Sequence, residues 1–132
     1  MYKDIKKTCH KHGGFLPEPR DQGENQFLTN LTTGIFALGI TDKEVEGQWL
    51  RDSDRSPVTW FGWVNRTDTR KEPNGGVRED CVVMLRQVET ASGPVDGWGD
   101  YDCGSHIVIK GKPQSLICQR KSGMCTQLII IK

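Results

Sequence analysis

The stretch KEPNGGVREDC, residues 71–81, gathers Glu72, Asn74, Glu79 and Asp80 around one proline and two glycines, and its last residue opens the apolar run CVVML, residues 81–85. Three carboxylates and an amide at one bend suit a hard divalent cation. Calcium takes roughly six to eight oxygen ligands in irregular geometry, from carboxylates, amide oxygens, backbone carbonyls and water. Zinc would call for His or Cys. An EPN tripeptide alone reads first as a proline turn with solvated charges, so the rest of the chain has to decide.

Working outward, 132 residues with 35% apolar and 27% charged side chains fit one globular domain, 1–132, with a modest core. A net charge of +1 lacks the one-sided positive field of nucleic-acid binders. The longest aliphatic run, LIII at 128–131, falls far short of the roughly 20 residues that span a membrane as a helix. No basic segment followed by an apolar stretch opens the chain, so a secretion signal is expected to lie outside it or to have been removed. Five cysteines and the sequons Asn30-Leu31-Thr32 and Asn65-Arg66-Thr67 point to an oxidising, extracellular setting. Four cysteines pair in three ways, and the fifth is a free thiol or an intermolecular link.

Tyr2, Ile5 and Cys9 fall at helical spacing, with Gly13-Gly14 as a stop. A second helix is predicted in GENQFLTNL, 23–31, with Pro19 and Asp21 as start signals, Phe27, Leu28 and Leu31 as its apolar face, and an end near Thr33-Gly34. Then come short β-like runs, GIFALGI (34–40), EGQWL (46–50), CVVMLRQVE (81–89), HIVIKG (106–111) and SLICQR (115–120). Helices first and strands afterwards give an α+β fold. The long polar region between Trp49 and Cys81 contains Trp60, Phe61 and Trp63, which argue for an ordered loop held by something such as a metal ion.

In order along the chain stand Cys9 in a helix before HGGFLPEP, then GENQFL, IFALGITDKEVEGQW, EPN, EDCVVM, GWGDYDC and LICQR. This series resembles the C-type lectin-like domain over nearly the whole chain. The resemblance implies two helices, two small antiparallel sheets, a long calcium-binding loop region, and disulfides Cys9–Cys118 and Cys81–Cys103. It also implies a principal calcium held by Glu72, Asn74, Glu79 and Asp100, which bind the sugar as well. Two vicinal sugar hydroxyls then coordinate the ion, donate to a carboxylate such as Glu72 and accept from an amide such as Asn74. EPN in this family goes with equatorial hydroxyls, as in mannose, so the implied partner is a mannose-type glycan and the implied protein a secreted lectin of innate recognition.

One departure is Trp98-Gly99-Asp100, where the family pattern is Trp-Asn-Asp: Gly99 offers no calcium oxygen and no amide donor unless water or Asp102 substitutes. Asp42 and Glu46, with Asp80, match an auxiliary calcium site, although Gly75 follows EPN where two-calcium members often carry Asp. Read alone, Asp42 and Glu46 are also ordinary acidic residues of a turn. Trp49 and Trp98 belong in the core by the same resemblance. Cys9-His10 with His12 suggests a nucleophile or metal pair, but helical neighbours face different ways and Cys9 is expected in a disulfide, so the chain reads as a binding protein and not an enzyme.

The tail RKSGMCTQLIIIK, 120–132, is the least expected part. Family members begin with a strand before the first helix, whereas this chain begins almost at the helix. Residues 121–132 are therefore expected to fold back on SLICQR as an extra strand. The alternative is strand exchange with a second copy, with Cys125 linking a homodimer.

Overall fold

Tyr2 and Cys9 lie on the buried side of a ten-residue helix, α1 (Tyr2–Lys11). The computed structural model describes residues 2–64, 80–90, 92–104, 115–122 and 125–131. Gly13 stops α1 in the left-handed region, φ 76°, and donates to the His10 carbonyl at 3.0 Å. Phe15 then exchanges two backbone hydrogen bonds with Gln119, at 2.8 and 2.7 Å. Cys9 is bridged to Cys118 with a Cα–Cα distance of 5.4 Å, so helix and late strand are joined covalently as well.

The second helix, α2 (Gln22–Thr29), starts where Asp21 caps it: the Asp21 carboxylate accepts from the Glu24 N–H at 2.8 Å. Glu24 reaches back to accept from the Arg20 N–H at 2.9 Å. Two expectations about α2 need correction. It ends at Thr29 with Asn30 as its cap, short of Thr33-Gly34: the Asn30 N–H still bonds the Gln26 carbonyl, but the Leu31 N–H bonds the Leu28 carbonyl at 3.2 Å, so the last turn tightens and the helix stops. Phe27 is not on the core face either, being 58% exposed. Asn25, Leu28 and Thr29 are buried instead, and the Asn25 side-chain oxygen accepts from the indole N–H of fully buried Trp98 at 2.8 Å. A buried N–H without a partner costs about 1–3 kcal/mol, which decides which face of a short helix turns inward.

Strands β1 (Phe36–Thr41), β2 (Leu50–Arg51), β3 (Cys81–Thr90) and β4 (Gly93–Tyr101) form one antiparallel sheet in the order β2-β1-β3-β4. The run EGQWL contributes only Leu50 to it, and HIVIKG lies outside the described residues. β4 carries Gly93, Pro94, Asp96, Gly97 and Gly99, residues that strands disfavour, and it was not anticipated. It exists because β3 gives it a long ladder, from Cys81↔Tyr101 to Thr90↔Gly93, interrupted by an irregularity between Leu85 and Val88. Glycine is required at position 97, where an added Cβ would sit 2.7 Å from Val64 Cγ2 and 3.0 Å from the Gly62 carbonyl oxygen.

Strands β5 (Leu116–Ser122) and β6 (Cys125–Ile131) form a separate antiparallel pair, in register from Leu116↔Ile131 to Ser122↔Cys125. The main core packs Leu28 of α2, Phe36, Leu38 and Ile40 of β1, Val82 and Met84 of β3, Trp98 of β4 and Ile117 of β5. Trp60 and Trp63 meet the Trp98 ring edge-on at 5.5 and 5.7 Å, and Trp49 meets Trp63 at 5.1 Å. Among the described residues, no helix is long and apolar enough to cross a membrane.

Candidate metal and ligand site

The site grows from one end of the sheet. β1 ends opposite the start of β3, Thr41 pairing with Cys81, and the next residue back, Asp80, accepts from the Asp42 backbone N–H at 3.1 Å. The Cys81–Cys103 disulfide, Cα–Cα 5.3 Å, fixes the same end of β3. After Asp42 the chain turns tightly: Gln48 N–H bonds the Val45 carbonyl, and Gly47, at φ 84°, donates its N–H to Asp42 Oδ2 at 2.9 Å. That turn carries Glu46 back toward the two aspartates.

Asp42, Glu46 and Asp80 thus each bring a carboxylate oxygen to within 4.8 Å of the others. Asp42 is 2% exposed, Asp80 half-buried and Glu46 exposed. Oδ1 of Asp42 and Oδ1 of Asp80 are buried without a hydrogen-bond partner. Among the described residues, no ion pair offsets these three charges. The electrostatic result is strain on ionisation: burial first, then the facing Asp80 carboxyl and the Glu46 charge, push Asp42 up to about 7 against the lowering effect of the Gly47 N–H. Glu46 is raised too, by partial desolvation and by the Asp80 and Asp100 carboxylates. Such an arrangement is stable with a shared proton or with a cation among the oxygens. All-oxygen donors fit calcium and do not suit zinc.

Asp100 is buried in β4, opposite Val82, at this end of the sheet. Glu46 senses its charge, so the two lie within one electrostatic neighbourhood. Glu72, Asn74 and Glu79 lie outside the described residues, so of the expected principal set only Asp100 is described. Gly99 pairs with Val83, and the Asp102 carboxylate is engaged by the Gly104 N–H at 2.8 Å within its own turn. Sequence reasoning did not find the Gly47 donor to Asp42, whose only signal was a glycine five residues along the turn. It also missed Glu18, a buried carboxylate that accepts from the Ser53 N–H and hydroxyl at 2.8 and 2.7 Å.

The family profile of the lectin C-type domain matches residues 1–109. The fold is similar to the mouse scavenger receptor C-type lectin carbohydrate-recognition domain, with TM-score 0.59 and 24% identity over 80% of this chain and 73% of that one. It is similar also to a Ca2+-dependent type II antifreeze protein, TM-score 0.60, 23% identity, 77% and 74% covered. The trimeric Kupffer cell C-type lectin receptor Clec4f gives TM-score 0.53 and 29% identity over 79% of this chain and 65% of its own. With its helices, antiparallel sheet and two disulfides, the chain belongs to the C-type lectin domain family. That family consists of binding modules, and the protein is not an enzyme.

Proposed function

We propose that the protein is an extracellular, calcium-dependent carbohydrate-binding domain that takes glycans through paired equatorial hydroxyls of the mannose type. The observation that carries this reading is the convergence of Asp42, Glu46 and Asp80, two of them with a buried oxygen lacking a partner, at the end of the sheet where Asp100 lies. In this reading Asp42, Glu46 and Asp80 hold an auxiliary calcium, and Glu72, Asn74, Glu79 and Asp100 hold the principal one. Calcium bound there supplies a Lewis-acidic centre that accepts hydroxyl oxygens as ligands. Glu72 takes the hydroxyl protons as hydrogen-bond acceptor, and Asn74 donates from its amide.

Gly99 leaves one sugar hydroxyl to water, a loss of about 1.5–3 kcal/mol beside a charged site, so each single site is weak. A homodimer, joined through β6 or through Cys125, would raise avidity without a new contact. Gels run with and without reductant separate those two modes. The two disulfides and two sequons support an extracellular glycoprotein.

Calorimetric titration with calcium, repeated in saturating methyl-mannoside, tests the proposal. Binding at about 10⁻⁴ to 10⁻³ M that tightens with the sugar is expected. Heat from neither ligand overturns it. A second reading, recognition of a protein or other surface without sugar, is favoured by Gly99, and one structural neighbour is a Ca2+-dependent antifreeze protein. Calcium binding that methyl-mannoside leaves unchanged would select that reading.

A further inference from the structure

Phe27 is 58% exposed on α2, and Asn30, the cap residue of the same helix and the acceptor position of the sequon Asn30-Leu31-Thr32, is exposed as well. We propose that Asn30 carries an N-linked glycan whose first N-acetylglucosamine lies against the Phe27 ring. Single exposed apolar side chains are ordinary, so Phe27 alone would carry nothing. Its position does. Asn30 continues the helix with φ −78° and ψ −12°, so residues 27 and 30 are surface neighbours with Cβ atoms about 5–6 Å apart.

The Asn30 amide is engaged in the folded chain through its oxygen. Its Oδ1 accepts from Gln26 Nε2 at 3.2 Å, and no hydrogen bond among the described residues uses Nδ2. Glycosylation joins Nδ2 to C1 of the first sugar. The bond between C1 and its polyprenyl-pyrophosphate carrier breaks, the pyrophosphate leaves with the electron pair, and Nδ2 gives up one proton. Oδ1 remains a carbonyl acceptor, so the Gln26 bond survives. Thr32, whose hydroxyl the transfer requires, is held in the fold by Ser115 Oγ at 2.8 Å and accepts from the Gly34 N–H. Transfer to the unfolded chain precedes those bonds, and the folded chain need only leave Asn30 open. The sugar's C–H face and the exposed phenyl ring then remove apolar surface from water together.

This inference rests on the extracellular route proposed above but on neither calcium nor mannose, so calorimetry on the same sample fails or succeeds independently of it. The test expresses the chain through a eukaryotic secretory pathway in an Asn65→Gln background, leaving Asn30 as the remaining sequon. Intact mass is read on all disulfide-bonded protein, secreted or retained, before and after peptide-N-glycosidase F. A glycan mass that the enzyme removes, and that Asn30→Gln lacks, is expected. Unmodified Asn30 overturns the site. Thermal melting before and after enzymatic deglycosylation, in Phe27 and Phe27→Ser chains, tests the cover. Deglycosylation should lower Tm by a few degrees with Phe27 and by clearly less with Ser; equal shifts overturn the contact.

Discussion

Asn25 sets the roll of α2 through one hydrogen bond to Trp98 Nε1, and that bond outweighs the apolar ring of Phe27 two positions along. Asn25→Leu keeps the branched shape and leaves the indole N–H buried alone; the urea midpoint should fall by an equivalent of about 1–3 kcal/mol. The face of α2 was illegible for this reason: hydropathy scores Phe above Asn, and only the neighbour from β4 reverses the order. Asp42 gives a second prediction. Its carboxyl is raised from 3.8 to about 7, so the calcium-free native state binds more protons than the unfolded state between those values. The contribution of Asp42 to stability in EDTA should therefore be full below about pH 4 and be lost as pH rises through about 7. Asp42→Asn keeps an acceptor for Gly47 and removes the charge. It should flatten that decline and remove the auxiliary site's share of calcium-induced stabilisation, both read by denaturant melts across pH.

Strand β4 shows how far an element can depart from its own propensity when a partner strand and close packing demand it. Gly97→Ala should cost about 1–3 kcal/mol, seen as a lowered Tm, because the new methyl meets Val64 and the Gly62 carbonyl at overpacking distance. Two positions on, Gly99→Asn would restore the missing amide, and methyl-mannoside binding should tighten about tenfold or more in calorimetry. The helices, β1 and β3 were legible because their apolar spacing matches their geometry. The glycines and aspartate of β4 hide it, since its reasons to exist lie on β3 and in residues 62–64. The carboxylate cluster was legible only through family resemblance. Asp42 and Asp80 come from distant segments, and no local pattern says that β1 and β3 will bring them side by side.

At the scale of the whole molecule, a ligand that binds only the folded chain adds stability that grows with the logarithm of its concentration above the dissociation constant. Calcium at about 100 times its dissociation constant should contribute about 2.7 kcal/mol per site, so the Tm measured in tens of millimolar calcium should exceed that in EDTA, and by less in Asp42→Asn. The two-stranded β5–β6 pair lies beyond the matched family segment, which ends at residue 109. The bridge between Cys9 and Cys118, 109 positions apart, has a topological consequence. It turns most of the polypeptide into a covalent ring closed through sulfur. A protease that cuts once inside the ring opens it without releasing a fragment. The nicked molecule would stay one covalent piece, heavier only by the water of hydrolysis, hold both new ends to the same scaffold, and separate into two fragments only after reduction.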